Sequence, residues 1–97
     1  MKTDRTIKIT KDVLAEIGRQ EEQWGEQNHD PFFYLAILTE EVGEAAQAAL
    51  DWYTGKGEPV RLREEMVQVA AVSIAFIGCI DRNSWTWGGH VKSREMK

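Results

Sequence analysis

The sequence predicts an all-α protein: an antiparallel helical hairpin with an N-terminal helix beside it, completing a four-helix-bundle-like core by oligomerisation. Three observations predict this. Leu35, Leu38, Val42, Ala45 and Ala49 recur at three- and four-residue steps, the spacing that puts side chains on one helix face. The run Thr54-Gly55-Lys56-Gly57-Glu58-Pro59 then breaks the pattern with two glycines and a proline, the composition of a turn. Beyond Gln68 the next segment is apolar nearly all round, with Val69, Ala70, Ala71, Val72, Ile74, Ala75, Phe76, Ile77 and Ile80. A helix without a polar face must be surrounded. Two other helices of a 97-residue chain can hardly enclose it, so subunit association through this helix is expected.

The elements follow in order. Residues 1–9 read as a short extended arm or a disordered one, since Ile7 and Ile9 alternate with Lys8. Thr10 reads as the N-cap of a first helix, with Val13, Ile17 and Trp24 on one side, fading near Gly25. Gln27-Asn28-His29-Asp30 is loop-like. Asp30 suits an N-cap and Pro31 the first turn of a second helix, which runs to about Tyr53. A third helix runs from about Pro59 to Arg82. The tail, residues 83–97, holds Trp85, Trp87 and Gly88-Gly89 and carries no assignable pattern. One domain, residues 1–97, accounts for the length.

Composition narrows the function. Hydrophobic residues make up 42% and charged residues 29%, a globular mixture. The formal net charge of −4, with no basic run, disfavours binding to a nucleic-acid backbone. Residues 67–80, the longest apolar-rich run, are too few to span a bilayer, and Gln68 and Ser73 interrupt them. The N-terminus lacks the apolar core of a signal peptide, so a cytoplasmic location is expected. Cys79 stands alone, which allows no internal disulfide, and its apolar setting predicts a buried thiol.

Two acidic clusters carry the chemistry. Glu40, Glu41 and Glu44 lie on the second helix, and Glu64, Glu65 and Gln68 on the third. Residues three or four apart share a face, so Glu41 pairs with Glu44 and Glu65 with Gln68. Glu44 lies nine residues before the end of its helix at Tyr53, and Glu65 six after Pro59. At about 1.5 Å per residue these are depths of about 14 and 9 Å from the turn, a mismatch of less than one helical turn. Three carboxylates and one amide then meet. Most helix glutamates are simply solvated, but Glu41 borders Leu38, Val42 and Ala45, and Glu65 borders Leu62 and Val69. Like charges gathered beside apolar surface repel one another, and a hard divalent cation relieves the conflict. Magnesium takes oxygen ligands and keeps waters, which suits bridging to phosphate.

This array resembles the EExxE…ExxD signature of the MazG-like nucleoside-triphosphate pyrophosphohydrolases. Here it reads Glu40-Glu41-xx-Glu44, then Glu65-xx-Gln68. The surroundings agree over about residues 17–82: Ala36-Ile37-Leu38-Thr39 before the first cluster, Gly43 within it, and an apolar helix after the second. Gln23-Trp24-Gly25-Glu26-Gln27-Asn28-His29 is similar to the loop before the metal helix in short phage- and cassette-type members. The resemblance implies Mg²⁺-dependent hydrolysis of (deoxy)nucleoside triphosphates to the monophosphate and pyrophosphate, with Mn²⁺ as a possible substitute. It implies Glu41, Glu44 and Glu65 as metal ligands, Gln68 as a weaker one, and Glu40 with Glu41 as the acids that orient the water. The family's last ligand is Asp, and Gln68 is neutral. The same scaffold could therefore bind nucleotide and metal with weakened turnover. A purely structural helical oligomer is the third reading.

Trp24, His29 and Trp52 are candidates for contacting a nucleobase by stacking or by its edge. Lys56 and Arg82 could meet phosphate oxygens, although solvation suits both better. The expected partners are a nucleoside triphosphate, with a deoxynucleotide favoured, and further copies of the chain as a dimer or tetramer. Nucleic acid and membrane are not expected partners.

Overall fold

The structure, a computed structural model, describes residues 2–83 together with the backbone of residues 86–87 and 91–92. Three helices make up the body: α1 (Lys2–Trp24), α2 (Pro31–Tyr53) and α3 (Pro59–Arg82). Strands β1 (Thr86–Trp87) and β2 (Val91–Lys92) form a minimal antiparallel ladder, with Thr86 opposite Lys92 and Trp87 opposite Val91. Trp85 and Gly88-Gly89 lie outside the described residues.

Helices α2 and α3 have the expected bounds because strong local signals set their ends. The Asp30 carboxylate accepts from the backbone N–H groups of Phe32 (2.9 Å) and Phe33 (3.0 Å). These are donors that the first helical turn leaves without partners. Pro31 and Pro59 each occupy the first turn, where a missing N–H costs nothing. After Tyr53 the chain reverses through Gly55 at φ 81°, left-handed backbone that favours glycine.

Helix α1 differs from expectation at its start. It begins at Lys2, and residues 2–9 are helical rather than an arm. Thr10 is no N-cap: it lies inside the helix, and its hydroxyl donates to the Thr6 carbonyl at 2.8 Å. This half projects into solvent, so its apolar residues Ile7 and Ile9 follow no buried face. Asp4 in the first turn suits the helix dipole, and the Lys8–Asp12 pair at 3.3 Å is a favourable one-turn contact.

The hairpin is antiparallel. Tyr34, near the start of α2, stacks on Phe76, towards the end of α3, with ring centroids 4.9 Å apart. Around them Val72 and Cys79 are buried, with Ile37, Leu38 and Ala75 packed against the cluster. Cys79 is a free, fully buried thiol, as its setting predicts. Ala45, Ala48 and Ala71 are buried small residues that let the helices approach. Helix α1 lies along the other side of α3 and runs in the same direction. Its Val13 is buried, and Arg63 of α3 bonds Asp12 at 2.8 Å.

Arg82 ties the α1–α2 loop to the end of α3 rather than standing solvated. Its guanidinium donates to the Gln27 carbonyl (3.1 Å) and to Asn28 Oδ1 (3.2 and 3.3 Å). The Cys79 thiol donates to the His29 carbonyl at 3.4 Å, pinning the same loop. Among the described residues no helix is long and apolar enough to cross a membrane.

Candidate metal centre

The packing of α2 on α3 brings Glu41, Glu44 and Glu65 together. One carboxylate oxygen from each lies within 4.8 Å of the others. The expected matching of depth is thus realised in space. The three differ in setting: Glu44 is exposed, Glu41 half-buried, and Glu65 only 6% exposed. The centre therefore has a closed floor and an open solvent side.

Two atoms decide what the cluster can do. Glu41 Oε1 and Glu65 Oε1 are buried, and neither has a hydrogen-bond partner among the described residues. A buried acceptor left unpaired costs about 1–3 kcal/mol, and more when charged. Burial pushes the Glu41 carboxyl above its usual range, and the charges of Glu44, Glu65, Glu40 and Glu16 push it further. The donor set is all hard oxygen, with two unsatisfied oxygens at its floor. That fits Mg²⁺ or Mn²⁺, which take carboxylate oxygens and keep positions for water and phosphate.

Glu65, the buried acid, is also the better organised. Its Oε2 accepts from Arg61 Nε at 3.1 Å, one helical turn earlier on α3. Its Oε1 is the oxygen left without a partner among the described residues. Glu40 is exposed beside Glu41. Gln68 lines a groove of about 300 Å³ between α1 and α3, with Asp12, Glu16, Arg63, Glu64 and Val67.

Glu16 of α1 was not among the expected site residues. Its side chain is only 14% exposed, although it sits on the outermost helix. Arg19 clasps both of its oxygens, Nε to Oε1 at 3.0 Å and Nη2 to Oε2 at 2.6 Å, while the Gln20 amide donates to Oε2 at 2.9 Å. The Arg19 hydrogen bond holds Glu16 below the usual carboxylate range against the opposing effect of burial. A signal was present in the sequence: Glu16 falls between Val13 and Ile17, on the packed stripe of α1.

The three aromatic candidates do not converge. Trp52 lies at the turn end of α2, eight residues past Glu44, whereas Trp24 and His29 lie beyond the other end of that helix. Trp24 and Trp52 are exposed. His29 is half-buried and works as a wedge, meeting the rings of Phe33 (4.8 Å) and Tyr34 (5.3 Å) edge-on and bonding Gln27 Oε1 at 3.0 Å. A cavity of about 70 Å³ beneath the α1–α2 loop is lined by Tyr34, Gln20 and Gln27 among others. It is too small for a nucleobase, since a cavity of about 150 Å³ is what accommodates benzene.

Comparison with known protein families, with curated proteins and with solved structures finds no match to this chain. The functional reading therefore rests on the residues and their geometry.

Proposed function

We propose that this protein is a Mg²⁺-dependent pyrophosphohydrolase of (deoxy)nucleoside triphosphates. The observation that carries this reading is the convergence of Glu41, Glu44 and Glu65 with two buried, unpartnered oxygens at the floor. Glu41 Oε1, Glu44 and Glu65 Oε1 would hold the cation, with Gln68 as a weaker neighbour. When bound, the cation neutralises the phosphate chain and the charge that develops on it during transfer. The chain's own residues do the rest. The exposed carboxylate of Glu40 accepts a proton from the attacking water, and the buried floor of the centre excludes bulk solvent. Water adds to phosphorus, the bond between the α-phosphorus and the bridging oxygen breaks, and monophosphate and pyrophosphate leave. The test is pyrophosphate release from a panel of ribo- and deoxyribonucleoside triphosphates, with and without Mg²⁺. No release from any of them would overturn the reading.

Gln68 supports a second reading, a protein that binds nucleotide and metal but turns over weakly. Replacing it separates the two. Gln68→Asp adds a charged oxygen ligand, and Mg²⁺ affinity should rise by about tenfold, the change that a single added interaction of about 1.4 kcal/mol confers. Turnover that rises together with affinity favours the enzyme. Tight nucleotide binding by calorimetry without pyrophosphate release, in wild type and variant alike, selects the binder.

The reading also includes association with further copies of the chain. Helix α2 carries an exposed apolar stripe through Leu35, Val42, Leu50 and Tyr53, and α3 carries exposed Met66, Ile74 and Ile77. A stripe of this length is unusual on a monomer's surface. A second hairpin laid on it would complete four helices around one core. Leu35→Asp with Ile77→Asp places two charges in that seam, away from the carboxylates. Sedimentation should then change from an oligomer to a monomer of 11.1 kDa. A wild-type monomer at micromolar concentration would remove this part of the reading.

A further inference from the structure

We infer that Arg61 is a positioning residue of the carboxylate centre: its Nε–H holds Glu65 Oε2 and thereby turns Glu65 Oε1 toward Glu41 and Glu44. The inference rests on the metal reading above and adds a residue to it. Three observations carry it. The contact is direct, Arg61 Nε to Glu65 Oε2 at 3.1 Å, between residues one helical turn apart. Its acceptor belongs to a residue that is 6% exposed, and the other oxygen of that carboxylate is buried without a partner among the described residues. One oxygen is thus held by Arg61 and the other is left without a partner.

The third observation is the place of Arg61 in its helix. It lies in the first turn of α3, two residues after Pro59. The positive end of the helix dipole disfavours a cation there, and acidic residues are the ordinary choice. The first turn of α3 contains none. Arg61 is 65% exposed, so its ion pair with Glu65 adds little stability by itself. What the hydrogen bond does supply is orientation, since a carboxylate with one oxygen tethered cannot spin its free oxygen out of the site. Metal centres commonly orient their ligands through such outer partners, and losing one costs about 10–100-fold in metal affinity.

The charge of Arg61 and its hydrogen bond act on a bound cation with opposite signs. The charge repels the cation; the bond presents a ligand to it. Arg61→Met removes both. Arg61→Gln removes the charge but keeps a donor, because Gln Nε2 is as many bonds from the backbone as Arg Nε. Mn²⁺ binding to the purified full chain, read by the loss of the free-ion electron paramagnetic resonance signal, distinguishes the two effects. Arg61→Met should weaken binding by about tenfold or more. Arg61→Gln should stay within about threefold of wild type. Both variants should keep the wild-type helical content by circular dichroism, since the side chain is largely solvated.

Binding by Arg61→Met that equals or exceeds wild type would overturn the inference, because the lost bond would then cost no more than the lost charge returns. Binding by Arg61→Gln as weak as by Arg61→Met would also overturn it, because the donor would then be without effect. A wild-type chain that binds no Mn²⁺ would overturn the metal centre, and the role of Arg61 with it. The wild-type measurement thus separates failure of the centre from failure of the positioning residue.

Discussion

Replacing Glu41 by Gln is expected to cut Mg²⁺-dependent pyrophosphate release by more than about 100-fold, above the 10–100-fold typical of outer-shell changes. The same substitution should raise the melting temperature of the metal-free protein by a few degrees. The two effects have one cause. Glu41 sits half-buried with an unpartnered Oε1, facing the charges of Glu44, Glu65, Glu40 and Glu16. Without a cation this arrangement is a conflict, and a neutral amide of the same shape relieves it. The Nε2 amide of the new glutamine also offers a donor to the orphaned Glu65 Oε1. With a cation the same charge is what holds the ion, and the amide gives most of that attraction away. Stability and activity therefore move in opposite directions, as expected where an active site is strained for function. Pyrophosphate assays and thermal melts on one preparation check both. Wild-type activity in Glu41→Gln would remove Glu41 from the site, and a lowered metal-free melting temperature would show that the clustered charges cost nothing.

How much of this was legible in the sequence depended on whether a residue's neighbours were local. The hairpin was legible because its ends are set by short-range chemistry: Asp30 capping α2, proline in two first turns, and glycine in left-handed backbone at position 55. The pairing of Glu41 with Glu44 was legible from helix period, and their meeting with Glu65 from depth below a shared turn. The start of α1 was not legible. Its first residues are exposed, so no apolar face marks them as helical, and Thr10 imitates a cap while bonding one turn back inside the helix.

Glu16 and Arg61 escaped for a different reason. Their significance lies in what they touch. The parallel packing of α1 on α3 brings Glu16 near enough for its charge to raise the Glu41 carboxyl. Arg61 matters because Glu65 has one oxygen occupied and one free. The aromatic candidates fared in the opposite way: Trp24, His29 and Trp52 suited base contacts by residue type, but the length of α2 keeps them apart. Within one chain no preformed base pocket is assembled from them.

The largest stability effect is expected from divalent cation at neutral pH. Glu41 is raised from its ordinary 4.5 in the folded protein, so between that value and its folded one the native state binds more protons than the unfolded state. The stability of the metal-free protein should accordingly fall as pH rises above about 4.5 and level off once Glu41 is ionised in the native state. Asp12 and Glu16 work the other way, since their partners Arg63 and Arg19 lower them from 3.8 and 4.5. Their contributions are complete above those values and are lost as pH falls below them. The decline above pH 4.5 is thus assigned to the carboxylate centre. Mg²⁺ should reverse it, because the cation binds the ionised form and only the folded chain presents it. At a concentration of about 100 Kd the stabilisation is about 2.7 kcal/mol, which for a domain of this size raises the melting temperature by about 10–20 °C. The shift should be larger at pH 7 than at pH 5, where protons compete for the same oxygens. It should shrink sharply in a Glu65→Gln variant, which loses the charge of the more deeply buried of the two floor carboxylates. Melts recorded at both pH values, with chelator and with millimolar Mg²⁺, measure each term. Equal melting temperatures with and without the cation at pH 7 would leave the cluster as helix-surface carboxylates without a ligand.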